Sequence, residues 1–240
     1  PQGPRGRALV QAEAALLRGA DLVLATLPAL ERRCAAGSAN VRAFSHGVNL
    51  DAFPFVPRPP GPRASHPVIG YVGGLHRHVD FDLLAQCARM RPDWRWEFVG
   101  PWHSPAARAL AELHNVRLLG PRPHAELASH IARWSACLVP YRRNTYTQSV
   151  VPTKLKEYLA VGRPVVATRI PSVEAFAARH EGVFTADNEP AAFIRAVEDA
   201  VHAAWDPRAS ERRRAVAALS SWDARMTDLE RWLREMDGQA

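Results

Sequence analysis

The sequence predicts an α/β chain: a Rossmann-like parallel sheet with helices on both faces, preceded by the tail of an earlier domain. Three observations carry this. From residue 68 onward, short apolar runs alternate with helix-length segments, and strands joined by such connections pair in parallel and are covered on both faces. Six prolines crowd positions 54–67 (PFVPRPPGPRASHP), a composition that favours a semi-rigid connector. Upstream of that connector the strand and helix signals are too few to make a domain alone.

Upstream, a helical stretch ends near Arg18, ADLVLATL (20–27) reads as a strand, 28–36 as a short helix, and VRAFSHGV (41–48) as a second strand ending at Gly47. Beyond the connector, VIGYV (68–72), WEFVG (96–100), VRLLG (116–120), ACLVP (136–140), PVVAT (164–168) and GVFTA (182–186) are apolar runs closed by Gly, Pro or polar residues. Helices are expected between them, near 80–91, 104–112, 123–134, 153–161 and 172–180. In the first of these, Phe81, Leu84 and Ala88 recur at helical spacing. Further helices are expected near 188–204 and 207–219, and a last one at 221–236 carries Trp222, Met226, Leu229 and Leu233 on one face.

With 240 residues, 47% of them hydrophobic, the chain can fill a substantial core. Its formal charge of +7 attracts polyanions such as nucleotide phosphates or anionic lipid. The run Arg212–Arg214 is most simply a solvated helix face. Three separated cysteines (Cys34, Cys87, Cys137) with no CxxC argue for reduced thiols in a cytoplasmic protein. No apolar run approaches the roughly 20 residues that span a bilayer, so membrane contact is expected to be peripheral. The first residue is Pro1 and the only methionines are Met90, Met226 and Met236, which suggests that sequence upstream is missing.

Only two of the 31 basic residues are lysines, Lys154 and Lys156, and both fall within VPTKLKEYLAVGRPVVAT (151–168). An ammonium kept where guanidinium is the default suits a point charge against phosphate. Pro152 suits a helix start, with Thr153 beside it. Lys154, Glu157 and Tyr158 then share one face while Leu155 and Leu159 turn inward. A helix start at the ligand edge of a parallel sheet is an anion site. Spacing alone favours an ordinary i,i+3 ion pair on a surface helix. Gly73 and Gly74 would let backbone approach a ligand, or simply make a strand-to-helix turn. His76 and Arg77 would add positive charge there. His76 and His78 as metal ligands lack a third partner, so no metal is expected. Tyr141 and Tyr146 flank Arg142 and Arg143 in a loop that either closes over a ligand or stays on the surface.

PTKLKEYLAVGRPVVAT resembles the signature segment of nucleotide-sugar glycosyltransferases with two facing Rossmann-like domains, the GT-B fold. It is most similar to the group 1 enzymes, glycosyltransferase family four and its relatives. ADLVLAT with FSHGVNLDAF, VIGYVGGLHRHVDFDLL, WEFVGP and NVRLLGPRPHAELASHIARWSACLVPY follow in family order, and the likeness covers about residues 8–236. The resemblance implies 1–53 as the end of an acceptor-binding domain, 54–67 as linker and 68–220 as the nucleotide-sugar-binding domain. Residues 221–240 would form a helix packing back toward the first domain, most of which is missing and would be supplied in cis or trans. It implies transfer of a sugar from a UDP- or GDP-sugar to a glycan or lipid-linked acceptor, and the basic charge fits, without demanding, a peripheral hold on the inner face of the membrane. Lys154 would meet the phosphates and Glu157 the ribose. Gly73, Gly74, His76, Arg77, Tyr141, Pro152 and Thr153 would complete the donor site. The backbone of Gly120–Pro121–Arg122 would reach the base. No catalytic residue can be named.

One departure stands out. Many relatives carry a glutamate eight positions before the one matched by Glu157, and here Ser149 occupies it. A dehydrogenase would show G-x-G-x-x-G, and a P-loop enzyme GxxxxGK[ST]; neither occurs. Nucleic-acid binding would rest on charge alone. The competing readings are a nucleotide-sugar-binding module without catalysis, as part of a split enzyme or as a remnant, and a nucleotide-sugar epimerase.

Overall fold

The computed structural model describes residues 3–57, 65–102 and 104–238, so half of the proline-rich connector lies outside the described residues. The chain divides into two compact units, Pro1–His46 and Gly47–Ala240. In the first, helix α1 (Pro4–Gly19) leads into strand β1 (Val23–Ala25), helix α2 (Pro28–Ala35) and strand β2 (Val41–Ala43). β1 and β2 pair in parallel, Val23 opposite Val41. Both strands are shorter than the apolar runs suggest.

The second unit contains β3 (Val68–Val72), α3 (Phe81–Met90), β4 (Arg95–Val99), α4 (Pro105–Ala111), β5 (Val116–Gly120), α5 (His124–Arg133) and β6 (Ala136–Val139). It continues with α6 (Lys154–Ala160), β7 (Val165–Thr168), α7 (Pro171–Ala177), β8 (Val183–Ala186), α8 (Pro190–Ala203), α9 (Pro207–Ala218) and α10 (Trp222–Asp237). Every strand and helix expected after residue 68 is present, with small differences at the ends. The strands form one sheet in the order β5-β4-β3-β6-β7-β8, parallel throughout. The order reverses between β3 and β6, the switch point where such sheets hold ligands beyond their carboxyl ends.

β6 and β7 are buried at every position, which is why they read as unbroken apolar runs. Gly70 in β3 is crossed by the Trp134 indole, which would stand 1.8 Å from any added Cβ. That indole donates to Glu97 at 2.9 Å, meeting its one polar need inside the core.

The second unit begins before the expected linker because residues 48–57 are part of its packing. Val48 and Phe53 lie in its core. Val48 N–H donates to the Ser220 carbonyl (3.0 Å), and Trp222 N–H to that of Val48 (3.1 Å). The Arg212–Arg214 run is not simply a solvated face. Arg212 is exposed and paired with Glu181 (2.6 Å), but Arg213 is buried and donates to the Gly162 carbonyl at 2.9 Å. Arg214 donates to Ala160 (3.1 Å) and Phe53 (2.8 Å) carbonyls. These two cations satisfy the carbonyl end of α6, where positive charge is favoured, and so hold the helix that bears Lys154.

Candidate functional site

The site forms where the segment after β3 (residues 73–80) meets the segment after β6 (residues 141–153) and the start of α6. α6 is tied to this edge from below. The Tyr158 hydroxyl, fully buried, accepts the Val72 N–H at 2.8 Å, fixing α6 beside the end of β3. Leu155 and Leu159 are buried as the spacing predicts, but so is Tyr158, which was expected on the ligand face.

Three strands end in glycines with positive φ: Gly73 at 135°, Gly100 at 144° and Gly120 at 70°. Gly73 N–H donates to the Val99 carbonyl at 2.8 Å, and Gly100 N–H to Gly120 at 2.9 Å. A Cβ on Gly100 would lie 2.1 Å from the Gly73 carbonyl oxygen, so the turns cross backbone on backbone. On Gly73 it would meet Lys154 Cε and the Tyr71 hydroxyl, each at 3.1 Å. The lysine stem thus lies directly over the glycine turn, in the space that glycine leaves open.

Lys154 Nζ donates to the Tyr141 hydroxyl at 2.7 Å. It stands 5.2 Å from the centres of both the Tyr71 and Tyr141 rings, within cation–π range. Tyr71 in turn donates to the Gly74 carbonyl at 3.1 Å. Burial, then the neighbouring Tyr141, push the Tyr71 pKa well up, so it stays a neutral phenol. The ammonium is therefore fixed at the sheet edge by two tyrosines.

Glu157 lies one turn on, half-buried. Burial raises its pKa, while Lys154 and His124 pull the other way. Pro152 is buried and Thr153 exposed at the helix cap, making no side-chain capping bond.

Tyr141 is itself buried. Its carbonyl accepts from Thr168 Oγ1 (2.7 Å) and Asn188 Nδ2 (3.0 Å), so this residue belongs to the scaffold and not to a mobile flap. The loop after it is knotted by Thr147, whose Oγ1 donates to the Arg142 carbonyl (2.7 Å) and accepts from Asn144 N–H (2.9 Å). Arg142 pairs with Asp82 at 2.7 Å. Tyr146 stacks on His78 with ring centres 4.0 Å apart. His76 stands 5.5 Å from His78 and 6.1 Å from Tyr141, centre to centre. Arg77 is exposed, its Nε 3.4 Å from His78 Nε2.

The structure thus gathers Gly73, Gly74, His76, Tyr141 and Lys154 from the expected set, with Glu157 a turn away and Arg77 on the rim. Sequence reasoning missed Tyr71 and the His78–Tyr146 stack. Among the described residues no group of three His, Cys, Asp or Glu side chains stands close enough to hold a metal ion. No described helix is long and apolar enough to cross a membrane.

Residues 66–203 match the family described as Glycosyl transferases group 1. A Bacillus subtilis (strain 168) protein named provisionally as the teichuronic acid biosynthesis glycosyltransferase TuaH is 27% identical over 230 residues, covering 91% of this chain and 58% of that protein. Among solved structures, sucrose-phosphate synthase from Thermosynechococcus elongatus superposes with a TM-score of 0.76 at 20% identity, over 100% of this chain and 65% of that one. Anabaena Alr3699/HepE in complex with UDP gives 0.76 at 14% identity, over 95% and 68%. The chain spans less than two thirds of the length of the Bacillus relative and of the synthase. The family match spans more than half of the chain and contains the Lys154 site whole, and the chain belongs to the group 1 glycosyl transferases.

Proposed function

We propose that the chain supplies the donor half of a sugar transferase, which takes a nucleoside diphosphate sugar and passes the sugar to a glycan or lipid-linked acceptor. One observation carries the reading: the Lys154 ammonium, held over the Gly73 turn by Tyr71 and Tyr141 at the switch point of a parallel sheet. A fixed cation against open backbone suits a diphosphate that gains charge as the glycosidic bond breaks. Stabilising that leaving group needs no reorganisation when the donors are already in place. Gly73 and Gly74 present backbone, Glu157 accepts from the ribose hydroxyls, and Pro152 and Thr153 set the entry to α6. His76, Arg77 and Tyr141 line the phosphate side. The HepE complexes with UDP, and with UDP and glucose, support uridine as the base.

In this reading Pro1–His46 closes an acceptor-binding domain, and the basic surface rests on anionic membrane where lipid-linked acceptors are found. The test is a thermal-shift panel on this chain with UDP, GDP, ADP and their sugars. A ligand that binds only the folded state stabilises it by RT ln(1 + [L]/Kd), about 2.7 kcal/mol at a hundredfold excess over Kd. Stabilisation by UDP and a UDP-sugar is the expected result. A flat response to every nucleotide would overturn the reading.

A further inference from the structure

We propose that His76 meets the donor's diphosphate as a neutral imidazole, giving its Nε2–H to a phosphate oxygen, and that donor binding takes up no proton there. The inference rests on the donor reading above and adds a role that the sequence did not suggest, since the sequence offered His76 as a source of positive charge.

The loop after Gly74 folds back so that the His78 amide N–H donates to His76 Nδ1 at 3.2 Å. An amide N–H only donates, so Nδ1 must be the lone-pair nitrogen, and the ring proton of the neutral form sits on Nε2. Adding a proton at Nδ1 would set two donors against each other and break that bond. The same tautomer excludes Nε2 as a general base, because that nitrogen already carries its hydrogen.

The neighbours act in the same direction. Lys154 from α6 and His78 and Arg77 from the same loop all oppose a second proton, and the Tyr141 ring faces from the exit of β6. Partial burial, followed by those charges, holds the His76 pKa below its ordinary value, against the opposing pull of a backbone hydrogen bond at His76 itself. The ring keeps an exposed edge, and the amide bond to Nδ1 is the geometric observation that assigns its tautomer. Its Cδ2 is the atom nearest to where a Gly74 Cβ would stand, at 3.7 Å. This puts the Cδ2 side of the ring, next to Nε2, toward the glycine turn that the phosphates approach. A neutral donor there adds a hydrogen bond without repelling the Lys154 ammonium.

The test is calorimetric titration of this chain with UDP between pH 6 and 8, in buffers of differing ionisation enthalpy, for wild type, His76→Gln and His76→Ala. Subtracting the His76→Gln data removes the nucleotide's own titration. Equal proton uptake by wild type and His76→Gln is expected. Glutamine, which keeps an N–H donor, should hold affinity within about threefold, and alanine should lose about tenfold. Nitrogen-15 spectra of labelled histidine should show His76 protonated at Nε2 alone, with and without UDP. An extra proton taken up by wild type, or a doubly protonated ring in the complex, would overturn the role of His76 and leave the donor reading standing. No UDP binding by wild type would overturn both.

Discussion

Lys154 donates to the Tyr141 hydroxyl at 2.7 Å, although the two residues are 13 positions apart and lie on different elements. Tyr141 is anchored through its own carbonyl to Thr168 and Asn188, so the phenol acts as a fixed post for the amine. Tyr141→Phe keeps the ring and its cation–π face but frees the ammonium to sample other rotamers. Ordering such a side chain on binding costs about 0.5–1.5 kcal/mol, so UDP affinity should fall by roughly two- to tenfold. Calorimetry reads the change, and an unaltered Kd would show that the post does not position the amine.

Lys154→Ala removes the charge itself. A hydrogen bond to a charged group is worth about 1.5–3 kcal/mol, so nucleoside diphosphate affinity should fall by about ten- to 150-fold in a variant that remains folded. The wild-type affinity should weaken with added salt more steeply than that of the variant, because an exposed cation–phosphate attraction is screened. Parallel salt dependences for the two proteins would place the phosphates elsewhere.

The crossing of the glycine turns gives a test of scaffold against space. Gly100 and Gly120 both have positive φ, which costs about 1–2 kcal/mol for an L side chain. Only Gly100 has backbone in the way: its Cβ would lie 2.1 Å from the Gly73 oxygen, whereas nothing stands within 4 Å at Gly120. Gly120→Ala should therefore lose about 1 kcal/mol in urea unfolding. Gly100→Ala should lose about 3 kcal/mol or more and disturb the turn under Lys154. Equal losses would mean that φ alone sets the requirement.

What the sequence made legible follows from where each signal arises. Strands such as Ala136–Val139 are buried on both faces, so their identity is written locally as continuous apolar residues. Lys154 stood out because the chain otherwise uses arginine. Tyr71 did not, since a tyrosine inside a buried strand looks like core until its hydroxyl is seen beside the amine. Arg213 was read as solvated because nothing in its own helix shows that the end of α6 needs its guanidinium. The burial of Lys156 was hidden for the same reason: it is set by helices far along the chain.

Lys156 yields the clearest pH prediction. It is 5% exposed, and burial, then the positive charge of Arg225 on α10, draw its pKa from 10.5 down to about 8. Below pH 8 both the folded and unfolded chains carry the proton, and the folded chain bears the cost of a buried charge. Between pH 8 and 10.5 the unfolded chain binds the proton more tightly, so stability rises with pH across that window. A fall of this size corresponds to about 3 kcal/mol. Lys156→Met keeps an unbranched side chain that packs adaptably and removes the charge. It should be more stable than wild type at pH 7 by about 1–3 kcal/mol, and the advantage should shrink toward pH 10.5. Urea midpoints for both proteins at pH 7 and pH 10 measure the difference, with other titrations cancelling between them. A constant gap across that range would show that Lys156 keeps its proton in the folded chain.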